Sequence, residues 1–241
     1  MEVFPKIKQM GEGAILVEFE PEISPETLAE VLKLKKFLQE KLSKQKVEVI
    51  STYNSLLIHY ISSIENAYNE VCGLWREFSG ANIDEIIESK LFHIPVCYDD
   101  VFALDLDEIS RVKKLPKEEM IRLHFSVDYL VYFTGFLPGF LYLGGLPEVL
   151  HFSRRDHPRT QIQKGAVGIG EKQTGIYPQS SPGGWNIIGN SPVKLFDLAA
   201  DKPCTISAGD RLRFYQVDLE EHQRISELVE SGEFRIKSEK L

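Results

Sequence analysis

Residues 135–147, GFLPGFLYLGGLP, open a stretch that continues through 153–178, SRRDHPRTQIQKGAVGIGEKQTGIYP, and ends at 181–197, SPGGWNIIGNSPVKLFD. Most of the chain's glycines and half of its prolines lie between residues 135 and 197, interleaved with Phe, Tyr, Trp, Ile and Arg. Glycine permits positive φ and close backbone approach, and proline fixes φ. Both weaken the interior of a regular element, so the stretch is no long helix or strand. Its aromatic content rules out a flexible linker. It reads as short strands joined by tightly specified turns that carry aromatic and polar side chains to one cleft.

The flanks support a β-rich second half. Tyr129 opens a strand, over 129–133, that leads into the stretch. Beyond it, residues 204–207 and 211–217 read as strands that turn at Gly209-Asp210. Leu219, His222, Ile225, Leu228 and Val229 outline a helix, and 234–236 an edge strand. Short strands at turn-limited spacing predict a barrel or sandwich. Two polar helices precede them, at 106–113 and from Leu115-Pro116 to about Phe125, and read as a bridge or lid. Asp105 and Glu108 read as a capping box for the first.

The N-terminal part has a different texture. Residues 3–9 and 14–19 form a hairpin with Gly11 and Gly13 in the turn. Ser24-Pro25 starts a helix whose buried face holds Leu28, Val31, Leu32, Leu38 and Leu42. Two strands follow, over 47–52 and 56–60. Ser62 and Glu65 cap a second helix, with Ile64, Ala67, Tyr68, Val71, Leu74, Trp75 and Phe78 in one stripe, read as core. The order β-β-α-β-β-α, closed by a strand at 91–97, predicts a small α+β layer of the ferredoxin-like kind. The domains are therefore placed at 1–90 and 91–241.

Composition narrows the function. The chain has 241 residues, 43% hydrophobic and 27% charged, as in ordinary globular proteins. Its net charge of −8 argues against nucleic acid or an anionic membrane as partner. No apolar run reaches the roughly 20 residues that span a bilayer, and the N-terminus lacks a signal-peptide layout. Cys72, Cys97 and Cys204 are widely spaced, without CxxC, which points to a cytoplasmic setting, no structural zinc and three small buried hydrophobes. There is no GxSxG, HExxH or P-loop, and 165–170, GAVGIG, has the wrong spacing for a dinucleotide loop.

What remains is polar groups on turns. Arg154, Arg155 and Arg159 bracket Asp156-His157-Pro158, and guanidinium forks suit carboxylate or phosphate. Pairing with Asp156 and nearby acids is the bland alternative. Gln173, Thr174 and Tyr177 could read an amide or lactam by hydrogen bonds, or satisfy a buried turn. Gly183 and Gly184 could offer backbone N–H groups to an oxyanion beside Trp185, or form a plain hairpin turn. His157 is conceivable as a general base.

GFLPGFLYLGGLP, RRDHPRT, QTGIYP, SPGGW and KLFD, in this order and spacing, resemble the family of the 5-oxoprolinase B-type subunit. The family is also called allophanate hydrolase subunit 1 and includes a kinase inhibitor of sporulation. GEGAILVEFE, TYNSLLIHY and IPVCYDD extend the resemblance to nearly the whole chain. It implies an α+β N-terminal domain followed by a cyclophilin-like β-barrel. It also implies a non-autonomous component that acts with homologues of the A-type and C-type 5-oxoprolinase subunits to cleave 5-oxoproline to glutamate, with ATP used at the level of the complex. No metal or organic cofactor is evident in this chain. Joined to the residue reading, the resemblance selects Gln173, Tyr177 and Arg159 as catalytic. It selects Arg155, Thr174, Gly183, Gly184, Trp185, Phe140 and Tyr142 as binding a small amide ligand. Departures from the family pattern are Ser153 for Pro, Glu171-Lys172 for a small residue and Gly, and Asn190 for Arg, the last bearing on carboxylate contact. The alternatives are a component of a urea- or allophanate-type carboxyltransferase or hydrolase, an inhibitor of a sensor histidine kinase and, from the fold alone, a prolyl isomerase.

Overall fold

The structure is a computed structural model that describes residues 4–61, 66–80 and 88–241. The chain divides into two compact units, Met1–Glu88 and Ser89–Leu241.

In the first unit β1 (Lys6–Met10) and β2 (Ala14–Glu18) form a hairpin. Helix α1 (Pro25–Lys41) follows, with the Ser24 hydroxyl accepting from Thr27 N–H at 3.1 Å. β3 (Val47–Ser51), β4 (Ser55–Tyr60) and α2 (Ala67–Gly80) complete the unit. The sheet is antiparallel, in the order β1-β2-β4-β3. Period-two alternation sends Ile15 and Val17 of β2, and Leu56, Ile58 and Tyr60 of β4, into the core. Leu28, Val31, Leu34 and Leu38 of α1 are buried, so Leu34 takes the place expected for Leu32. The Ser62–Glu65 cap and Ile64 lie outside the described residues. In α2 Ala67 and Val71 are buried and Trp75 packs edge-on to Phe19, whereas Tyr68 is exposed.

The second unit begins with β5 (Lys90–Cys97), then α3 (Leu106–Lys113) and α4 (Lys117–Phe125). Short strands follow: β6 (Asp128–Thr134), β7 (Leu141–Gly144), β8 (Arg159–Ile162), β9 (Ala166–Gly170), β10 (Gln173–Ile176), β11 (Ser181–Gly183) and β12 (Asn186–Asn190). β13 (Arg211–Val217), α5 (Leu219–Glu230) and β14 (Lys237–Lys240) end the chain. The strands β12-β9-β10-β7-β6-β13-β5 form a ring of seven, closed by Asn190 of β12 against Cys97 of β5. β5 and β13 run parallel over the whole of 91–97 and 211–217. β14 adds to β5, and β8 with β11 forms a separate ribbon.

Several expectations change. Residues 204–207 are not a strand, and the last strand lies at Lys237–Lys240 rather than 234–236. α3 and α4 are no detached bridge, because Leu106, Ile109 and Met120 are buried in the same apolar cluster as the barrel residues Val131, Leu143 and Ile169. Of the cysteines only Cys97 is buried.

Candidate functional site

Trp185 sits between β11 and β12 and organises the site. A Cβ placed on Gly170 would lie 2.4 Å from the indole Nε1, and one on Gly175 would lie 3.0 Å from Cζ3. The indole therefore lies against bare backbone of β9 and β10, a position that tolerates no side chain beneath it. Phe140 meets Trp185 edge-on at 5.5 Å and Tyr177 at 5.4 Å, and Tyr142 lies 5.1 Å from Phe140. Edge-to-face pairs of this kind fix ring positions as well as burying area. The Tyr177 hydroxyl fills the space a Gly183 Cβ would need, at 2.4 Å.

These rings wall a cleft of about 340 Å³. Its rim adds Phe136, Arg154, Arg155, Pro158 and Pro182. Seven of the sequence-selected residues meet there: Phe140, Tyr142, Arg155, Tyr177, Gly183, Gly184 and Trp185. Burial pushes the Tyr177 phenol above its ordinary range, against a Trp185 backbone hydrogen bond and the Arg154 charge, which pull it down. Burial likewise raises Tyr142, again opposed by Arg154. Both phenols keep their protons at neutral pH and can donate to a ligand oxygen.

Arg159, Gln173 and Thr174 lie elsewhere. Thr174 is fully buried and donates to the Gly168 carbonyl at 3.0 Å. Its oxygen accepts from His124 Nε2 at 2.9 Å, and His124 Nδ1 accepts from the Tyr98 hydroxyl at 2.7 Å. Thr174 is thus part of a satisfied core chain, outside the cleft lining. Gln173 starts β10 opposite Gly170, outside the cleft lining. Arg159 donates from Nη1 and Nη2 to both oxygens of Asp105, at 2.8 and 2.7 Å. It lines a second, smaller cleft of about 170 Å³ together with Gln161, Gln163 and Asn190.

Asp105 is the residue that local reading misassigned. Its side chain makes no cap hydrogen bond to α3. Instead the buried carboxylate also accepts from Arg155 Nη1 at 2.7 Å and from Ile187 N–H at 2.6 Å. The Asp105 N–H donates back to the Ile187 carbonyl at 2.8 Å. Arg155 in turn holds the Gly184 carbonyl through its own N–H at 2.8 Å, while its buried Nε has no partner among the described residues. The arginine partner is therefore Asp105 rather than Asp156, which is exposed, as is His157. Asn190 donates to the Lys164 carbonyl at 3.0 Å and accepts from His222 Nε2 at 2.9 Å. Its amide is committed to the barrel seam.

The first unit holds a larger groove, about 580 Å³, lined by Glu20, Glu22, Glu26 and Glu30 with Phe19 and Trp75. None of the sequence-selected residues lies there. Among the described residues no group of three or more His, Cys, Asp or Glu is placed to hold a metal ion. No helix among them is long and apolar enough to cross a membrane.

A chain of this sequence and fold has known counterparts. Residues 5–206 match the carboxyltransferase domain, subdomain C and D, and the chain belongs to that family. Within it, the chain is 32% identical over 239 residues to the 5-oxoprolinase B-type subunit of Bacillus subtilis (strain 168), covering 94% of this chain and 99% of that one. It is 38% identical over 206 residues to the 5-oxoprolinase B-type subunit of Escherichia coli O157:H7, covering 85% and 93%. In fold alone it matches urea carboxylase of Kluyveromyces lactis, with a TM-score of 0.80 at 24% identity, over 98% of this chain and 24% of that one. The resemblance read from the motifs agrees with these relatives.

Proposed function

We propose that the chain is the B-type subunit of an ATP-dependent 5-oxoprolinase, which opens the lactam of 5-oxoproline to glutamate together with homologues of the A-type and C-type subunits. The likeness to two B-type proteins over most of their length supports this reading. The observation that carries it is the cleft: flat aromatic walls for a small ring, two protonated phenols for a carbonyl oxygen, and arginines at the rim. As a lactam carbonyl is attacked, charge gathers on its oxygen, and donors fixed beside that oxygen stabilise the transition state more than the ground state. Tyr177 and Tyr142 are the donors this chain supplies. The arrangement contains no general base within the cleft lining, in keeping with chemistry completed by the other components. ATP is used at the level of the complex, and the hetero-oligomer works in the cytoplasm. In finer terms we read the barrel as cyclophilin-like. The first unit reads as ferredoxin-like, with its edge strand β1 leading the chain instead of ending it. Together they form two domains near 1–90 and 91–241.

The test is co-expression with the A-type and C-type homologues, followed by ATP-dependent release of glutamate from 5-oxoproline. Activity is expected only when this chain is present, and Tyr177→Phe is expected to lower it about 10²–10³-fold, the scale of one lost oxyanion donor. A complex that assembles but leaves 5-oxoproline intact would overturn the reading, and turnover of urea or allophanate by that complex would redirect it to the related hydrolases.

A further inference from the structure

The fold treats the three arginines of 154–159 unequally. Arg155 and Arg159 share one buried carboxylate, Asp105, and are held in fixed positions by it. Arg154 has no such tie. It stands at the rim of the aromatic cleft with half of its side chain exposed. Its acidic neighbour is Glu171, with Nε to Oε1 at 3.7 Å and the carboxylate two-thirds exposed. An ion pair that long and that wet holds its partners weakly.

We propose that Arg154 is the residue of the cleft that recognises a carboxylate, so that the site selects a small planar amide ring bearing an anion over the same ring without one. The proposal rests on the 5-oxoprolinase reading of the cleft and assigns its specificity. Arg154 and the two phenols are arranged around the same space. The guanidinium charge is felt at both Tyr142 and Tyr177, where it offsets part of the effect of burial. A ring lying against Trp185 and Phe140 therefore has its carbonyl served by the phenols and its carboxylate by Arg154. A guanidinium fork suits that carboxylate and can bind it through two parallel hydrogen bonds. The chain carries a net charge of −8, so an anionic ligand needs such a local cation. Glu171 is the anion that the ligand displaces. Its backbone is anchored on both sides by Phe152, through N–H to carbonyl bonds of 2.7 and 3.0 Å. Its carboxylate thus stays near Arg154 and competes.

Arg154 and Glu171 consequently predict changes of opposite sign. The experiment is calorimetric titration of the co-expressed complex with 5-oxoproline and with 2-pyrrolidinone, the same lactam without the carboxylate. R154Q is expected to weaken 5-oxoproline binding about tenfold or more, the loss of one charge-assisted pair, and to leave 2-pyrrolidinone unchanged. E171Q is expected to tighten 5-oxoproline severalfold, and R154K to fall between wild type and R154Q. Equal effects of R154Q on both ligands, or none on either, would overturn the assignment. If the wild-type complex neither binds nor turns over 5-oxoproline, the 5-oxoprolinase reading fails on its own. Arg154 is then read with N-acetylglycine against N-methylacetamide: a preference for the anion that R154Q abolishes keeps the assignment, and no preference ends it.

Discussion

Arg155 lines the larger cleft and Arg159 the smaller one, yet both are tied to the same oxygen of Asp105. That carboxylate also takes the N–H of Ile187 in β12. Replacing it with Asn removes the charge and leaves two guanidinium groups, each about a quarter to a third exposed, without their anion. Breaking a buried pair costs about 3–5 kcal/mol, and partial access to water reduces this to about 2–4 kcal/mol for Asp105→Asn. A shift of the urea midpoint at constant m-value measures it. His124 makes a prediction about pH. It is buried between Tyr98, Thr174 and a stacked Phe214, and burial pushes its imidazole from 6.5 down to about 3. Between those values the unfolded chain binds a proton that the folded chain refuses. Stability therefore falls as pH drops from 6.5 towards 3, by about 2 kcal/mol at pH 5. His222, also lowered by burial, acts in the same sense. Melting temperatures between pH 7 and pH 5 test this, and His124→Gln should flatten the slope while lowering stability at neutral pH.

The hairpin from β9 to β10 turns through Glu171 and Lys172, with Gly170 opposite Gln173. Glu171 adopts a φ of 59°, in the left-handed region where a side chain costs about 1–2 kcal/mol that glycine avoids. Glycine also adds freedom to the unfolded chain, so Glu171→Gly should gain about 0.5–1 kcal/mol net, seen as a higher melting temperature. Elements with local signals are legible in the sequence. α3 lies at 106–113, as its pattern predicts, and α4 and β6 start within two residues of their expected positions. Asp105 is different. An acid ahead of a helix reads as a cap, whereas its partners here stand 50, 54 and 82 residues away. Thr174 misleads for a related reason. QTGI shows a hydroxyl among turn residues, but only the folded barrel turns it inward to His124, 50 residues distant.

For the molecule as a whole, alternation and turn spacing announce many short strands without saying how they close. The ring depends on one residue pair, Asn190 with Cys97, and on the parallel match of β5 with β13. Neither leaves a trace within a sequence window. The cleft is more accessible, because the glycines and aromatics that build it lie within one stretch: Gly170 and Gly175 beneath Trp185, and Gly183 beside Tyr177. Arg154 escapes selection because three neighbouring arginines look alike until Asp105 claims two of them.

The seam between β5 and β13 also bears on how the protein is made. The second unit begins with one of these strands, and the other is among its last; a bond beside the seam, from Lys90 N–H to Asp210, spans 120 residues. A ribosome moving at about 5–20 residues per second exposes the apolar inner faces of β5, β6 and β7 for several seconds before β13 emerges. Throughout that interval the barrel stays open, and a truncated product lacking residues 211–217 has no route to close it. Biosynthesis of this chain thus carries a late closing step, before which its exposed apolar strands are open to aggregation.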